Sequence, residues 1–120
     1  MSRPVPYQPP TGTAEAVTLV NRFTLPEAEA ETFLDRWQDS ARIMRAQPGF
    51  VSSRLYRQFS PDPGQVCFLN VAEWASGLAL DAARVDPDWL ATVRRMLNDP
   101  ALHVVPDPVV YQLDREITPK

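Results

Sequence analysis

The order of elements along the chain predicts an α+β fold. It is a ferredoxin-like split βαβ, with a four-stranded antiparallel sheet and helices on one face. Three observations carry this. Alternating apolar residues mark strands, apolar residues three and four apart mark helices, and Pro/Gly/Asp clusters separate them. The resulting order is strand, helix, strand, strand, helix pair, strand. At 120 residues the chain is one domain, long enough to bury roughly two-thirds of its unfolded surface. A hydrophobic fraction of 44% and a charged fraction of 22% are those of a globular protein.

Residues 1–15 contain Pro4, Pro6, Pro9 and Pro10 and show no periodicity. They read as a Pro-rich flexible tail, extended and either disordered or laid over a neighbour. Residues 16–115 form the domain and 116–120 a C-terminal tail. Val17 to Leu25 is the first strand, with Val17, Leu19, Asn21 and Phe23 on one face. Pro26 opens a helix whose acidic Glu27, Glu29 and Glu31 suit the positive end of its dipole. That helix runs to about Gln47 and presents Phe33, Trp37, Ala41 and Met44, with Leu34, to the core. Pro48-Gly49 ends it.

Phe50 to Phe59 is the second strand, and Pro61-Asp62-Pro63-Gly64 turns it into the third, Val66 to Trp74. Ser76 caps a short helix to Val85. Asp86-Pro87 begins another that ends near Asn98, with Trp89, Leu90, Val93 and Leu97 inward. A loop containing His103 and Pro106 leads to a last strand, Val109 to Asp114.

Composition excludes several classes. The net charge of −3 and the lack of a basic run argue against nucleic acid. No stretch approaches the ~18 apolar residues of a membrane span, and no signal peptide is visible, so no membrane partner and a cytoplasmic location are expected. Cys67, the lone cysteine, forms no disulfide within the chain and no metal cluster, and reads as a small core hydrophobe. His103 is the lone histidine and has no nucleophile–base motif around it.

The most telling stretch is Asn70-Val71-Ala72-Glu73-Trp74. Side chains alternate along a strand, so Phe68, Asn70, Ala72 and Trp74 share a face. A buried amide left unpaired costs roughly 1–3 kcal/mol, so Asn70 needs a partner: the fold, a water or a ligand. Cys67, Leu69 and Val71 make the opposite face apolar, with Glu73 at its rim. Helices cover one face only, so that second face implies a homodimer.

Val20-Asn21-Arg22-Phe23, then Gln47-Pro48-Gly49-Phe50-Val51-Ser52 with Arg54-Leu55-Tyr56-Arg57, then Asn70-Val71-Ala72-Glu73-Trp74 with Ser76 stand in a specific order and spacing. In these the chain resembles the antibiotic biosynthesis monooxygenase family of dimeric α+β barrels, over about Ala16 to Leu113. One class in that family degrades haem through a first-strand Asn, a Trp and a proximal His. Asn21 matches the first. The Trp and His positions fall near Ala83 and Val93, so haem is not expected.

The other class oxidises aromatic polyketides of anthrone or naphthol type to quinones with O₂ and neither metal nor flavin. Asn70, Trp74 and Arg94 stand at the spacings of residues that line its pocket between sheet and helices, and are the catalytic residues this resemblance implies. A Tyr of some members would fall near Leu80, so Tyr56 or His103 would have to substitute. Asn21, Phe23 and Phe68, with Tyr56 and His103, are the expected substrate contacts. Arg94 competes with adjacent Arg95. Arg54 and Arg57 read as rim ion pairs, and Trp37 and Trp89 as core.

In chemical terms Arg is a permanent cation suited to a developing oxyanion, Asn donates amide hydrogens to ring oxygens, and Trp and Phe stack a flat polycycle. The expected function is a cofactor-independent monooxygenase acting on a small-molecule aromatic polyketide, with O₂ as co-substrate. Two alternatives remain open at this point: a cyclase or isomerase in the same pocket, and a non-catalytic pathway partner.

Overall fold

The computed structural model describes residues 2–120. Its elements are β1 (Val17–Pro26), a 3-10 turn (Glu27–Glu29), α1 (Ala30–Met44), β2 (Phe50–Arg57), β3 (Gln65–Trp74), α2 (Gly77–Ala83), α3 (Pro87–Asn98) and β4 (Val105–Tyr111). The strands form one sheet in the order β2-β3-β1-β4, with every neighbour antiparallel. β1 and β2, joined by α1, thus run parallel with β3 between them, which is the split βαβ the sequence predicts. No described helix is long and apolar enough to cross a membrane.

Local chemistry explains the boundaries. The helix expected from Pro26 starts later, because residues 27–29 form a 3-10 turn before α1. Gly49, at φ +83°, then reverses the chain into β2; a side chain there would meet Ala79 Cβ at 2.5 Å. Ser76 caps α2 by accepting from the Ala79 N–H, and Asp86 caps α3 by accepting from the Asp88 and Trp89 N–H groups. β2 ends at Arg57 rather than Phe59, and Phe59 is fully out in solvent.

The last strand lies at Val105–Tyr111 rather than Val109–Asp114. Its Pro106 and Pro108 suggest a loop, but β4 is an edge strand and needs backbone donors on one side only. Prolines two residues apart withdraw donors from the same side, so pairing with β1 survives.

Two packed clusters sit between the sheet and the helices. In one, Phe33 of α1 lies between Phe23 and Phe68, with ring centroids 4.9 and 5.0 Å away. In the other, Trp74 meets Phe50 edge-on at 5.4 Å beside Leu19, Ala72 and Leu80. The strand register puts Phe23 opposite Phe68 and Val17 opposite Trp74. Asn21 and Asn70 face each other between those pairs.

The N-terminal segment is not free. Arg3 donates to the carbonyls of Leu97 and Val104, and its backbone exchanges hydrogen bonds with the Asn98 side chain. Thr11 and Gly12 donate to Asp81. The expected flexible tail is therefore strapped across its own domain.

Candidate active site

Around the facing pair of asparagines the helices stand off from the sheet and leave a cavity of about 470 Å³, a size typical of small-molecule sites. Its floor is the helix-facing side of β1, β2 and β3: Leu19, Asn21, Phe23, Phe50, Ser53, Asn70, Ala72 and Trp74. Trp37, Ser40, Ala41 and Met44 of α1 form one wall, and Trp89, Leu90, Val93, Met96 and Leu97 of α3 another. Asp81, Arg84 and the strap close it.

Phe50 and Ser53 both reach this floor although they are an odd number of residues apart. The register of β2 against β3 shifts between Phe50 and Ser52, putting Phe50 opposite Trp74 but Ser53 opposite Ala72. That bulge turns the following residues over. The Ser53 hydroxyl then donates to Asn70 Oδ1 at 2.5 Å. Asn21 Oδ1 accepts the Asp107 N–H at 3.1 Å, a backbone donor that fixes the amide orientation. Among the described residues neither Asn21 Nδ2 nor Asn70 Nδ2 has a protein acceptor, so both keep donors for an oxygen in the cavity.

Trp74 is 2% exposed, and its Nε1 is buried without a partner among the described residues. An unpaired buried donor costs about 1–3 kcal/mol. The indole thus stands beside the cavity as a donor that the fold itself does not satisfy.

The cation of the cavity is Arg84, not Arg94. Arg94, like Arg95, lies on the solvent side of α3 and is exposed, outside the lining. Arg84 caps the C-terminal end of α2, and its side chain is only 9% exposed. It donates to Gln8 Oε1 and to the Pro9 carbonyl, and lies 3.6 Å from Asp81. Burial pulls its pKa down, and Asp81 partly restores it. Asp81 also loses solvation, which favours its neutral form. The donors from Thr11 and Gly12, with the Arg84 charge, outweigh this and hold its pKa below the ordinary value.

Three further expected contacts lie elsewhere. Phe68 shares the face but is core: it stacks on Phe33, with the Arg57 guanidinium 4.8 Å from its ring. Tyr56 pairs with Leu69 and so points to the opposite face, 49% exposed. His103 is 70% exposed and bonded to Glu29 through both its backbone N–H and its ring Nδ1. Those bonds, the backbone one first, hold the Glu29 carboxyl below its usual pKa. Asn21, Phe23, Asn70 and Trp74 do come together in the cavity.

Trp37 and Trp89, read from sequence as core, line the cavity instead. Their helical stripes continue past the packed clusters, and periodicity alone cannot tell core from cavity. Arg84 and Ser53 carry no sequence signal of their own. The position of Arg84 depends on the strap, and that of Ser53 on the bulge.

The sequence model for antibiotic biosynthesis monooxygenase matches residues 16–95. The chain belongs to that family. Among solved structures it is similar to SnoaB from Streptomyces nogalater, a cofactor-independent oxygenase, at 30% identity and TM-score 0.72 over 89% of this chain and 100% of that one. A point mutant of SnoaB matches at 29% identity and TM-score 0.69, over 89% and 100%. A Shewanella loihica protein shares the fold at 24% identity and TM-score 0.64, over 85% of this chain and 97% of that one. No curated protein sequence matches the chain. The family and the likeness to SnoaB together support monooxygenase activity in general.

Proposed function

We propose that this chain is a cofactor-independent monooxygenase of the cytoplasm that converts an anthrone- or naphthol-like aromatic polyketide to a quinone with O₂. The observation that carries the reading is the cavity itself. Trp37, Trp74 and Trp89 supply flat apolar surfaces around the facing amides of Asn21 and Asn70, with one buried guanidinium. Apolar walls with a few convergent donors suit a polycycle bearing oxygens. The likeness to SnoaB, a cofactor-independent oxygenase, supports the same chemistry.

In this reading the substrate gives a proton to water and becomes an enolate, whose oxygen is stabilised by the amide donors and by Arg84. The enolate passes one electron to O₂, and the resulting radical pair joins to form a carbon–oxygen bond. Protonation gives a hydroperoxide. Its O–O bond then breaks as the carbon loses its remaining proton, leaving a carbonyl and releasing water. One oxygen atom enters the product and the other leaves in water. The protein orients the reactants and excludes bulk solvent, while the substrate supplies the electrons.

The proposal includes a homodimer. Val20, Leu69 and Val71 are half-buried on the face opposite the helices, and Tyr56, Val109 and Tyr111 are exposed there. A second copy would cover them. Sedimentation at micromolar concentration should give twice the chain mass; a monomer would remove this part.

The test is oxygen uptake with a simple anthrone, measured against the spontaneous background. One O₂ consumed per quinone formed, at a rate proportional to protein, is the expected result. Turnover of the substrate without oxygen uptake would replace this reading with a cyclase or isomerase.

A further inference from the structure

The Pro-rich segment precedes residues 16–95, the stretch matched by the family's sequence model, yet it supplies Val5, Pro6, Tyr7, Gln8 and Pro10 to the cavity wall. It is tied down at both ends. On one side Arg3 bonds the carbonyls of Leu97 and Val104 and the Asn98 side chain. On the other, Thr11 and Gly12 bond Asp81, and the Leu78 and Gly77 N–H groups bond the carbonyls of Thr13 and Glu15. Four prolines between Arg3 and Thr11 limit the backbone freedom that strapping removes.

The near anchor needs a glycine. A Cβ added at Gly77 would stand 2.0 Å from Thr11 Oγ1 and 2.5 Å from Thr13 Cγ2. The strap is also a partition. Tyr7, Gln8, Pro10 and Arg84 border a second hollow on its other side, against Val110 and Tyr111.

The strap also sets the electrostatics of the cavity. Both oxygens of Asp81 accept its N–H groups, at 2.7 and 2.8 Å, and the Thr11 hydroxyl adds a third donor. Asp81 faces Arg84 at 3.6 Å, an ion pair whose carboxylate oxygens are also held by the strap. Arg84's own acceptors, Gln8 Oε1 and the Pro9 carbonyl, are neutral and belong to the strap. A guanidinium with five donors, hydrogen-bonded to two neutral oxygens and ion-paired with Asp81 at 3.6 Å, has donors to spare for a ligand oxygen.

We propose that residues 5–10 form a substrate-binding wall, and that by engaging Asp81 this strap leaves Arg84 to select aromatic ligands carrying an anionic oxygen, a carboxylate or ionised phenol. This rests on the cavity being the substrate site. It adds the ionic class of the substrate and a binding role for the N-terminal segment. Release of the strap removes the wall for every ligand. Arg84→Gln gives up two strap contacts but leaves the anchors at Arg3, Thr11 and Gly12 in place, so its main effect is loss of the preference for charge.

Titration of tryptophan fluorescence with two probes tests this: an anthraquinone carboxylate and a neutral methylanthraquinone. The full chain should bind the acid about tenfold more tightly, as expected for one charge-assisted pair. Arg84→Gln should reduce acid binding to the level of the neutral probe, Arg84→Lys should keep part of the preference, and Arg94→Gln should change nothing. Gly77→Ala, which displaces Thr11, should weaken both probes. Arg3→Ala does the same from the far anchor, should Gly77→Ala fail to fold. Equal wild-type binding of the two probes would overturn the selection by Arg84 while leaving the cavity as the site. Unchanged binding by folded Gly77→Ala and Arg3→Ala would overturn the wall. Binding of neither probe would remove the cavity as the site, and the proposal with it.

Discussion

Two stretches of the same strand pair, two residues apart, have opposite fates. At Phe23 and Phe68 the facing side chains meet Phe33 and fill the space under α1. At Asn21 and Asn70 the facing side chains are short amides, and the helices above them leave a hollow. Both stretches lie on one face and in one register. The difference teaches that side-chain size at a single register position decides where this sheet packs itself and where it waits for a ligand. Packing at one end supplies the rigidity that lets the other end keep unpaired donors.

That contrast can be broken from either side. Phe33→Ala should give the largest effect, a loss of about 3–5 kcal/mol in unfolding free energy by denaturant titration, since nothing else can fill the gap between two rings. Asn70→Ala should act in reverse. Turnover should fall on the order of 10²–10³-fold, the scale for one preorganised donor to a developing oxyanion. Its melting temperature should shift little, since Ser53 alone loses a partner. Equal effects of both changes on stability would erase the distinction between the two ends.

Trp74→Phe sharpens it further. It keeps an aromatic ring and removes a buried donor that has no partner, so stability should hold within about 1 kcal/mol. If substrate oxygen satisfies that donor, KM should rise severalfold in steady-state kinetics. A smaller effect comes from Asp81. Its pKa lies below the ordinary 3.8, so its share of stability is present above that value and is lost as pH falls through the folded pKa. Affinity for the neutral methylanthraquinone, which does not itself titrate, should be flat from about pH 8 to pH 5 and fall only below about pH 4, and that fall should vanish in Asp81→Asn. The smallest effect belongs to Arg94→Ala, whose oxygen uptake should match the parent.

How much of this was legible in the sequence follows from which interactions are local. Alternation on β1 and β3 placed Asn21, Phe23, Asn70 and Trp74 together, because a strand leaves no freedom in which face a residue takes. Turn residues and caps placed the helices. The same alternation misplaced Phe68 functionally, since a shared face does not say where packing stops and a cavity starts. Arg84 escaped for a different reason. It sits at the end of a seven-residue helix, too short for periodicity to orient, and its partners Gln8 and Pro9 lie more than 70 positions away in the chain. β4 was displaced because prolines read as a loop unless the strand is known to be an edge.

The most direct test of the account is a crystal structure of the protein with a non-reactive polycyclic quinone bound. The expected result places its rings among Trp37, Trp74 and Trp89, with a carbonyl oxygen within hydrogen-bond distance of the Asn70 or Asn21 amide nitrogen. A quinone seated instead on the opposite face of the sheet, against Leu69 and Val71, would contradict the assignment of the cavity as the active site.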